Sequence, residues 1–465
     1  MEAKKFKKLD LHGEQHDKKL DNPENPFIMT AKIRLPQDSV YNCDFNPYIG
    51  WEQTQVLATV GGTKVLVHEV PRHVNHIITR YGCTIASSTP NQEPEDLYAV
   101  TWALDTYESP QNAHRIVTGG LHGQLYVINS RNGQQQNRLQ SCGGAINDIR
   151  TSPANSNLVA VASKDQTVRI FHIRNDSCLA VMGGLNCHRD QVLSLDWDRD
   201  GNFLVSCGMD HLSMRWDLAK DHVRKHLDAC CEALAKGRMN VLSQSDPVLK
   251  KVEDKKEIIK ENVKKSAFEI ENYHPNLEDD SNIDSVLGEI GKASGCTLPI
   301  YRPASVCSDV HEDYVDCIRV MPGINYFLSK GCGKEKAVNM WRFGPPKGVV
   351  ERVTSSMAPQ KTTTQLLAFK IWNGDTWFTK FEMDPRRRWL AVGGTQGFVN
   401  FFDVTKLKSH EPVLRVKVFN GTVRNTCYCA QGRIMIAVGE QGAVTRLDRV
   451  PLSIDTAELA KCIPK

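Results

Sequence analysis

CHRDQVLSLDWDRDGNFLVSCGMDHLSMRWDL, residues 187–218, is built from three short apolar runs separated by polar turns. His188 precedes VLSLDW, in which Leu193, Leu195 and Trp197 alternate with polar residues. The turn DRDG leads into NFLVSCG, an almost unbroken apolar run, and Asp210 sits in the next turn. LSMRW then closes on Trp216-Asp217. Alternation, turn, continuous run, turn, alternation is the signature of an antiparallel meander. Its alternating strands keep one wet face, while the continuous run is covered on both faces.

The same shape returns along the chain. It is found in VYNCDFNP with QVLATVGGTKVLVHEV (40–70), LYAVTWALD with HRIVTGGLHGQLYVIN (97–129) and AINDIRTSP with NLVAVASKDQTVRIFHI (145–173). After 187–218 come YVDCIRVMP with NYFLSKGCGKEKAVNMWRF (314–343), WFTKFEMDP with RRWLAVGGTQGFVNFFDV (377–404), and VRNTCYCAQ with RIMIAVGEQGAVTRLDRV (423–450). In its order, with His188 before the first strand and Trp-Asp closing the third, the stretch 187–218 resembles one blade of a WD40 β-propeller. The resemblance implies that His188, Ser206, Asp210 and Trp216 hydrogen-bond as a tetrad within the blade. Seven units at roughly 40–45 residues need about 300 residues, so the expected fold is all-β, a seven-bladed WD40 propeller spanning 27–450. Most units lack the Trp-Asp ending and the tetrad, so blade-to-blade packing must stabilise them.

A ring of sheets must close, because an open edge strand invites aggregation. In PFIMTAKIRLP (26–36) Phe27, Met29, Ala31, Ile33 and Leu35 alternate, and this segment is expected to add the outer strand of the last blade. Residues 1–26 are charged and poor in apolar residues, an expected disordered tail, and 451–465 form a C-terminal tail. The N-terminus has no apolar core and does not read as a secretory signal. No run of 18 apolar residues suggests a membrane span. The charge is balanced, 58 basic against 54 acidic residues for a net +4, which argues against nucleic acid as the main partner. Fifteen cysteines, an odd number, fall largely inside apolar runs (Cys43, Cys207, Cys317) and read as small core residues in a reducing compartment. Cys427-x-Cys429 and Cys230-Cys231 lack the paired spacing of a zinc site.

One long insertion, 219–310, separates the fourth and fifth units. AKDHVRKHLDACCEALAK (219–236) places Val223, Leu227, Cys230, Cys231 and Leu234 on one side of a helix. The charge-dense part, 244–293, reads as a solvated loop, with Val252, Ile258, Ile259 and Val263 able to stripe a helix on a partner. TLPIYRPASVCSDVHEDY (297–314) returns the chain to the ring.

Catalytic motifs are missing: there is no GxGxxG opening a helix, no GxxxxGK, no GxSxG and no HExxH. His311-Glu312 and Asp279-Asp280 lie in polar linkers and read as solvated. No cofactor or metal is expected. The chemistry that emerges comes from laying the units in register. Phe45, Trp102, Thr151, Trp197, Val320, Phe381 and Tyr428 each precede the first turn of a unit. Four residues earlier stand Tyr41, Tyr98, Asn147, Leu193, Asp316, Trp377 and Arg424. First strands line a propeller's channel, so these positions converge at one mouth, where three are aromatic and Phe378 neighbours Trp377. Such rings can cage a quaternary ammonium, each face attracting it by roughly 0.5–1 kcal/mol when exposed and about 2 when desolvated. Methylated lysine suits a cage because it keeps its charge while shedding hydrated N–H groups. Packing remains the competing reading.

FHIRNDSCLAVMGGLNCHRDQVLSLDW, SCGMDH, YVDCIRV, and WFTKFEMD with LAVGG are similar to the embryonic ectoderm development / extra sex combs subunit of Polycomb repressive complex 2. The likeness runs from about 37 to 450. It implies a non-enzymatic nuclear subunit that reads trimethyl-lysine on repressive histone H3 tails through Tyr41, Tyr98, Trp377 and Phe378. Further peptide-pocket positions carried over are Asn147, Lys164, Met209, Tyr314, Asp316, Cys332, Lys380 and Arg424. It also implies a SET-domain methyltransferase whose helix docks on the opposite face, and contacts with other Polycomb subunits. Phe378 stands where the family usually has Tyr, Lys380 replaces an Arg and loses its fork of donors, Gln191 replaces an acid, and 240–293 exceed the family norm. The alternatives are a scaffold whose aromatics only pack, and an enzyme using Asp316 or Arg424 at the mouth.

Overall fold

A computed structural model describes residues 26–85, 93–139, 142–175, 177–235, 297–321, 325–344, 363–371, 374, 376–406 and 410–450. These contain seven sheets, antiparallel but for one added strand, each led by a first strand that starts at one end of the ring. Blade 1 holds β2–β5 (Asn42–Phe45, Gln55–Gly61, Lys64–Val70, Ile78–Thr84), and blade 2 holds β6–β9 (Leu97–Leu104, His114–Gly120, Leu125–Asn129, Gln135–Leu139). Blade 3 holds β10–β13 (Ile146–Thr151, Leu158–Ser163, Val168–His172, Cys178–Met182). Blade 4 is β14–β16 (Val192–Trp197, Phe203–Gly208, Ser213–Asp217), joined by β18 (Ser305–Cys307). The chain thus leaves blade 4 after its third strand and returns as its fourth. On the way back β17 (Leu298–Ile300) adds a fifth strand, parallel to β13, on blade 3. Blade 5 is β19–β22 (Val315–Met321, Tyr326–Gly331, Ala337–Phe343, Thr363–Lys370), and blade 6 is β23–β26 (Phe381–Met383, Trp389–Gly393, Phe398–Asp403, Leu414–Lys417).

The last blade joins the two ends of the described chain. β27–β29 (Val423–Tyr428, Ile434–Gly439, Ala443–Arg449) receive β1 (Phe27–Arg34), antiparallel to β29. The alternation in 27–35 put this strand there. Phe27 stacks on Phe401 of blade 6 at 4.7 Å, so the closing strand also caps the neighbouring blade. A buried charge locks the closure: Arg446 pairs with Asp448 at 2.9 Å. The same guanidinium donates to the carbonyls of Pro71 and Val74 between β4 and β5, tying blade 7 to blade 1. Thr30 on β1 donates to Asp448 as well.

The tetrad of blade 4 forms. Trp216 Nε1–H donates to Ser206 Oγ at 2.8 Å, His188 Nε2 lies 2.8 Å from the same hydroxyl, and His188 Nδ1 faces Asp210 at 2.9 Å. Blade 5 carries a second tetrad. His311 bridges Ser329 (2.6 Å) and Glu335 (2.9 Å), and Trp341 Nε1–H donates to Ser329 at 2.7 Å. His311 is therefore not part of a solvated linker; it is buried at 6 % exposure. Glu335 fills the aspartate role from a short 3-10 turn, which hid the pattern. In blade 1 Thr59 holds His68 at 2.8 Å. His68 stands where the tryptophan stands in blades 4 and 5, two residues beyond the cross-strand partner of the hydroxyl.

Helix α1 (Asp221–Ala235) buries Val223, Leu227, Cys230 and Leu234. Val223, Leu227 and Cys230 join one core cluster with Leu179, Trp197 and Leu218. Arg224 donates to Asn202 at 2.7 Å, Tyr107 to the Cys231 carbonyl at 3.4 Å, and Asn155 lies 3.6 Å from Cys231 Sγ. Asn202, Tyr107 and Asn155 all sit in turns between first and second strands. α1 therefore lies across blades 2–4 on the face where first strands end. The expected loop 244–293, all but the last residue of the expected tail 1–26, and the expected C-terminal tail 451–465 lie outside the described residues.

Candidate functional site: the channel and its two ends

In five of the seven first strands the ladder breaks at one residue: Tyr98, Asn147, Leu193, Asp316 and Arg424. A bulge leaves that residue unpaired and turns its strand, so the mouth position is re-aimed in each blade. The bulge also pushes backbone over the end of the second strand. A Cβ at Gly120 would come 1.8 Å from the Asp96 carbonyl oxygen, and one at Gly208 2.4 Å from that of Gln191. Only glycine fits there.

Blade 6 departs from the register read in the sequence. Met383 pairs with Leu390 as Trp197 pairs with Leu204, and Asp384 N–H donates to Trp389 as Asp198 does to Phe203. Met383, not Phe381, is the equivalent of Trp197, and Thr379 holds the mouth position. Trp377 lies two residues further out. It still reaches the mouth because the chain before β23 is not strand: Phe378 adopts φ +59°, a left-handed turn costly for an aromatic residue.

The four aromatics come together. Tyr41 and Tyr98 meet edge to face at 5.2 Å, Tyr98 and Phe378 at 5.6 Å, Tyr41 and Phe378 at 6.1 Å, and Trp377 and Phe378 at 5.8 Å. Perpendicular rings present faces in several directions, the arrangement favoured by their quadrupoles. Trp377 is 49 % exposed and Phe378 9 %. Arg424 donates to the Trp377 carbonyl at 3.2 Å and pairs with Glu440 at 2.9 Å, so the loop is pinned and the guanidinium is neutralised in place. Lys380 lies beneath, its Nζ 5.3 Å from the Phe378 centroid. The same Nζ donates to the carbonyls of Leu193 and Asp316 (3.0 Å for the latter). Asp96 was not singled out by spacing. It hydrogen-bonds Tyr98 and is raised by burial, and burial together with this carboxylate raises the Tyr98 and Tyr41 hydroxyls.

The other pocket positions divide. Lys164, Met209 and Cys332 sit just past second strands, and Tyr314 just before a first strand, all at the mouth end. Lys164 and Tyr314 are exposed, Tyr314 packing on His211 at 5.6 Å. Asn147 is buried and donates to the Val192 carbonyl at 2.9 Å. Asp316 is wholly buried and paired with Lys330 at 2.9 Å, while Cys332 is 5 % exposed. Asn147 and Asp316 thus support the mouth from below.

Deeper, one residue per blade lines the channel at the position before each Trp197 equivalent: Asp44, Thr101, Arg150, Asp196, Arg319, Glu382 and Cys427. Glu382 accepts from Arg150 at 3.1 Å and from Arg319 at 3.2 Å across the channel. Burial lifts the Asp44 and Asp196 carboxyls to about 7, against the pull of Arg150. Nearer the mouth Asp148 accepts from Ser194 at 2.7 Å and lies 3.8 Å from Lys380. Among the described residues no cluster of three or more His, Cys, Asp or Glu has metal-binding geometry.

Comparison with known proteins now bears on the site. The WD domain, G-beta repeat family matches residues 133–172 and 177–217. Polycomb protein mes-6 of Caenorhabditis elegans is 44 % identical over 466 residues, covering 99 % of both chains. The chain belongs to this Polycomb WD40 family. Polycomb protein esc of Drosophila melanogaster is 24 % identical over 88 % of this chain and 81 % of its own. In the crystal structure of an active polycomb repressive complex 2 in the basal state, one chain matches with a TM-score of 0.67 at 15 % identity, over 93 % of this chain and 100 % of that one. A chain in the structure of ctPRC2 in complex with H3K27me3 and H3K27M matches at 0.66 and 15 % identity, over 93 % and 99 %. These chains of Polycomb repressive complex 2 share the propeller fold with this Polycomb family member.

Proposed function

We propose that this Polycomb subunit is a non-catalytic nuclear scaffold that reads trimethyl-lysine on histone H3 with Tyr41, Tyr98, Trp377 and Phe378. The observation that carries the reading is the meeting of four rings from blades 1, 2 and 6 at one mouth. Ring faces attract an ammonium that cannot donate hydrogen bonds, and Asp96 adds negative charge beside them. Lys164, Met209, Tyr314 and Arg424, with Asn147, Asp316, Cys332 and the buried Lys380 behind them, form the peptide pocket in this reading. A SET-domain methyltransferase docks its helix on the opposite face, on the part α1 leaves open, and other Polycomb subunits complete the assembly. That a chain of this fold belongs to ctPRC2 in complex with H3K27me3 supports the ligand class.

One observation favours a plain scaffold. Tyr41, Tyr98 and Phe378 pack against one another as core aromatics do, and Lys380 already holds one face of Phe378. Titration of the purified chain with unmodified, monomethyl and trimethyl lysine peptides separates the two. Affinity rising with each methyl group supports the reader, and equal weak affinity for all three supports the scaffold. Co-purification of a SET-domain subunit, undisturbed by peptide, tests the second face.

A further inference from the structure

Charge is split across the aromatic mouth. Arg424 is paired with Glu440 at 2.9 Å, and Asp316 with Lys330 at 2.9 Å. Lys380 holds its ammonium 5.3 Å from the Phe378 centroid. Like charges repel most strongly where water is excluded, so the Phe378 side of the mouth resists a second cation. On the other side the balance is reversed. Asp96, half-buried just before β6, accepts the Gly62 N–H at 2.9 Å and the Tyr98 hydroxyl. The neighbouring charge that acts on it is another acid, Glu95, which is itself buried and bonded to the Tyr126 hydroxyl and the His122 N–H. Among the described residues Asp96 makes no ion pair. A half-buried carboxylate short of positive charge is held at a cost that an arriving cation relieves.

The bond to Gly62, in the turn between β3 and β4, fixes Asp96 across blades 1 and 2. Those blades carry Tyr41 and Tyr98, whose rings meet at 5.2 Å, and the Asp96 charge acts on both hydroxyls. We infer that Asp96 is the specificity-determining residue of the mouth: its carboxylate makes the four rings select a cationic side chain over a neutral one of the same shape, and draws the cation to the Tyr41–Tyr98 side. The inference rests on the methyl-lysine reading above and adds to it the source of its charge selection. Methyl groups packed on rings serve a neutral head as well as a charged one. Only ring quadrupoles and full charges tell the two apart, and one face of Phe378 is already occupied by Lys380. Asp96 acts here by its charge, not as a further wall.

The test is calorimetry of the full chain with two peptides that differ at one atom. One carries trimethyl-lysine, and the other its neutral isostere, with a quaternary carbon in place of the nitrogen. The parent should bind the trimethyl peptide about tenfold more tightly than the isostere. Asp96→Asn keeps the size and an acceptor for Gly62. It should weaken the trimethyl peptide about fivefold and leave the isostere unchanged. Asp96→Ser, whose hydroxyl can accept the same N–H, takes its place if the first variant does not fold. Parental affinity for the trimethyl peptide in the folded variant, equal weakening of both peptides, or a parent that binds both alike overturns the role of Asp96 and leaves the reader standing. A parent that does not bind the trimethyl peptide overturns the reader itself.

Discussion

Lys380 holds its ammonium 5.3 Å from the centre of the Phe378 ring while donating to the carbonyl of Asp316. The wall of the aromatic mouth therefore rests on a buried cation, and an incoming ammonium must use the other ring faces. Lys380 also lies 3.8 Å from Asp148. Removing one member of a buried charged set leaves the others unpaired, which costs about 3–5 kcal/mol for an isolated pair. Arg319, at 3.8 Å, also serves Asp148, so Lys380→Met should cost about 2–3 kcal/mol in urea unfolding. An unchanged midpoint would show that the ammonium supports nothing.

The closing strand makes a sharper demand. β1 pairs along β29 from Phe27 to Arg34, and Thr30 reaches the buried Asp448. Deleting residues 1–36 should lower the melting temperature by many degrees or cause aggregation, whereas deleting 1–24 should leave it unchanged. Equal melting of the two truncations would mean that the ring does not depend on its N-terminal strand.

Ser329 receives the Trp341 indole and faces His311, so Ser329→Ala strands two buried groups. A loss of about 2–3 kcal/mol is expected, near that of Ser206→Ala in blade 4. A cost for Ser206→Ala alone would make the second tetrad ornamental.

Proton linkage distinguishes the channel from the blades. Burial lifts Asp44 from 3.8 to about 7, so the folded chain keeps a proton there that the unfolded chain has lost. Stability contributed by this site falls as pH rises from about 4 to about 7, and no further above that. His68 and His172, pushed down from 6.5 to about 4 by burial, work the other way over much of the same range. The parent's own profile blends both. The difference between Asp44→Asn and parent isolates the carboxyl, and the variant should gain stability relative to the parent between pH 4 and 7. A difference flat with pH would contradict the raised carboxyl.

Why some of this could be read from the sequence and some could not follows from what alternation reports. Runs such as VLSLDW and FLVSCG give their strands directly, and the alternation of Phe27, Met29, Ala31 and Ile33 gave the closing strand. Polar residues in those runs read as a wet face. In seven first strands that face meets itself around a narrow channel, so Arg319 and Glu382 pair inside the protein and Asp196 accepts from the Val320 backbone N–H instead. The second tetrad was missed because Glu335 comes from a 3-10 turn rather than from the spacing of Asp210. The slip in blade 6 has a similar cause: equal counting back from the turn assumes one bulge per strand, and β23 is only three residues long. Asp96 stands two residues before Tyr98 in the sequence, but its place beside Tyr41 comes from the fold.

The most direct test of the account is trimethyl-lysine peptide binding by Trp377→Ala, measured by calorimetry on folded protein. Trp377 is half exposed and, among the described residues, its one ring contact is with Phe378, so the variant should fold. Losing one cage wall should weaken the peptide by roughly 1–2 kcal/mol, about five- to thirtyfold. Tyr98→Phe, which keeps the ring and loses only the bond to Asp96, should be mild. Trimethyl peptide bound by Trp377→Ala as tightly as by the parent would contradict the reader and leave the scaffold.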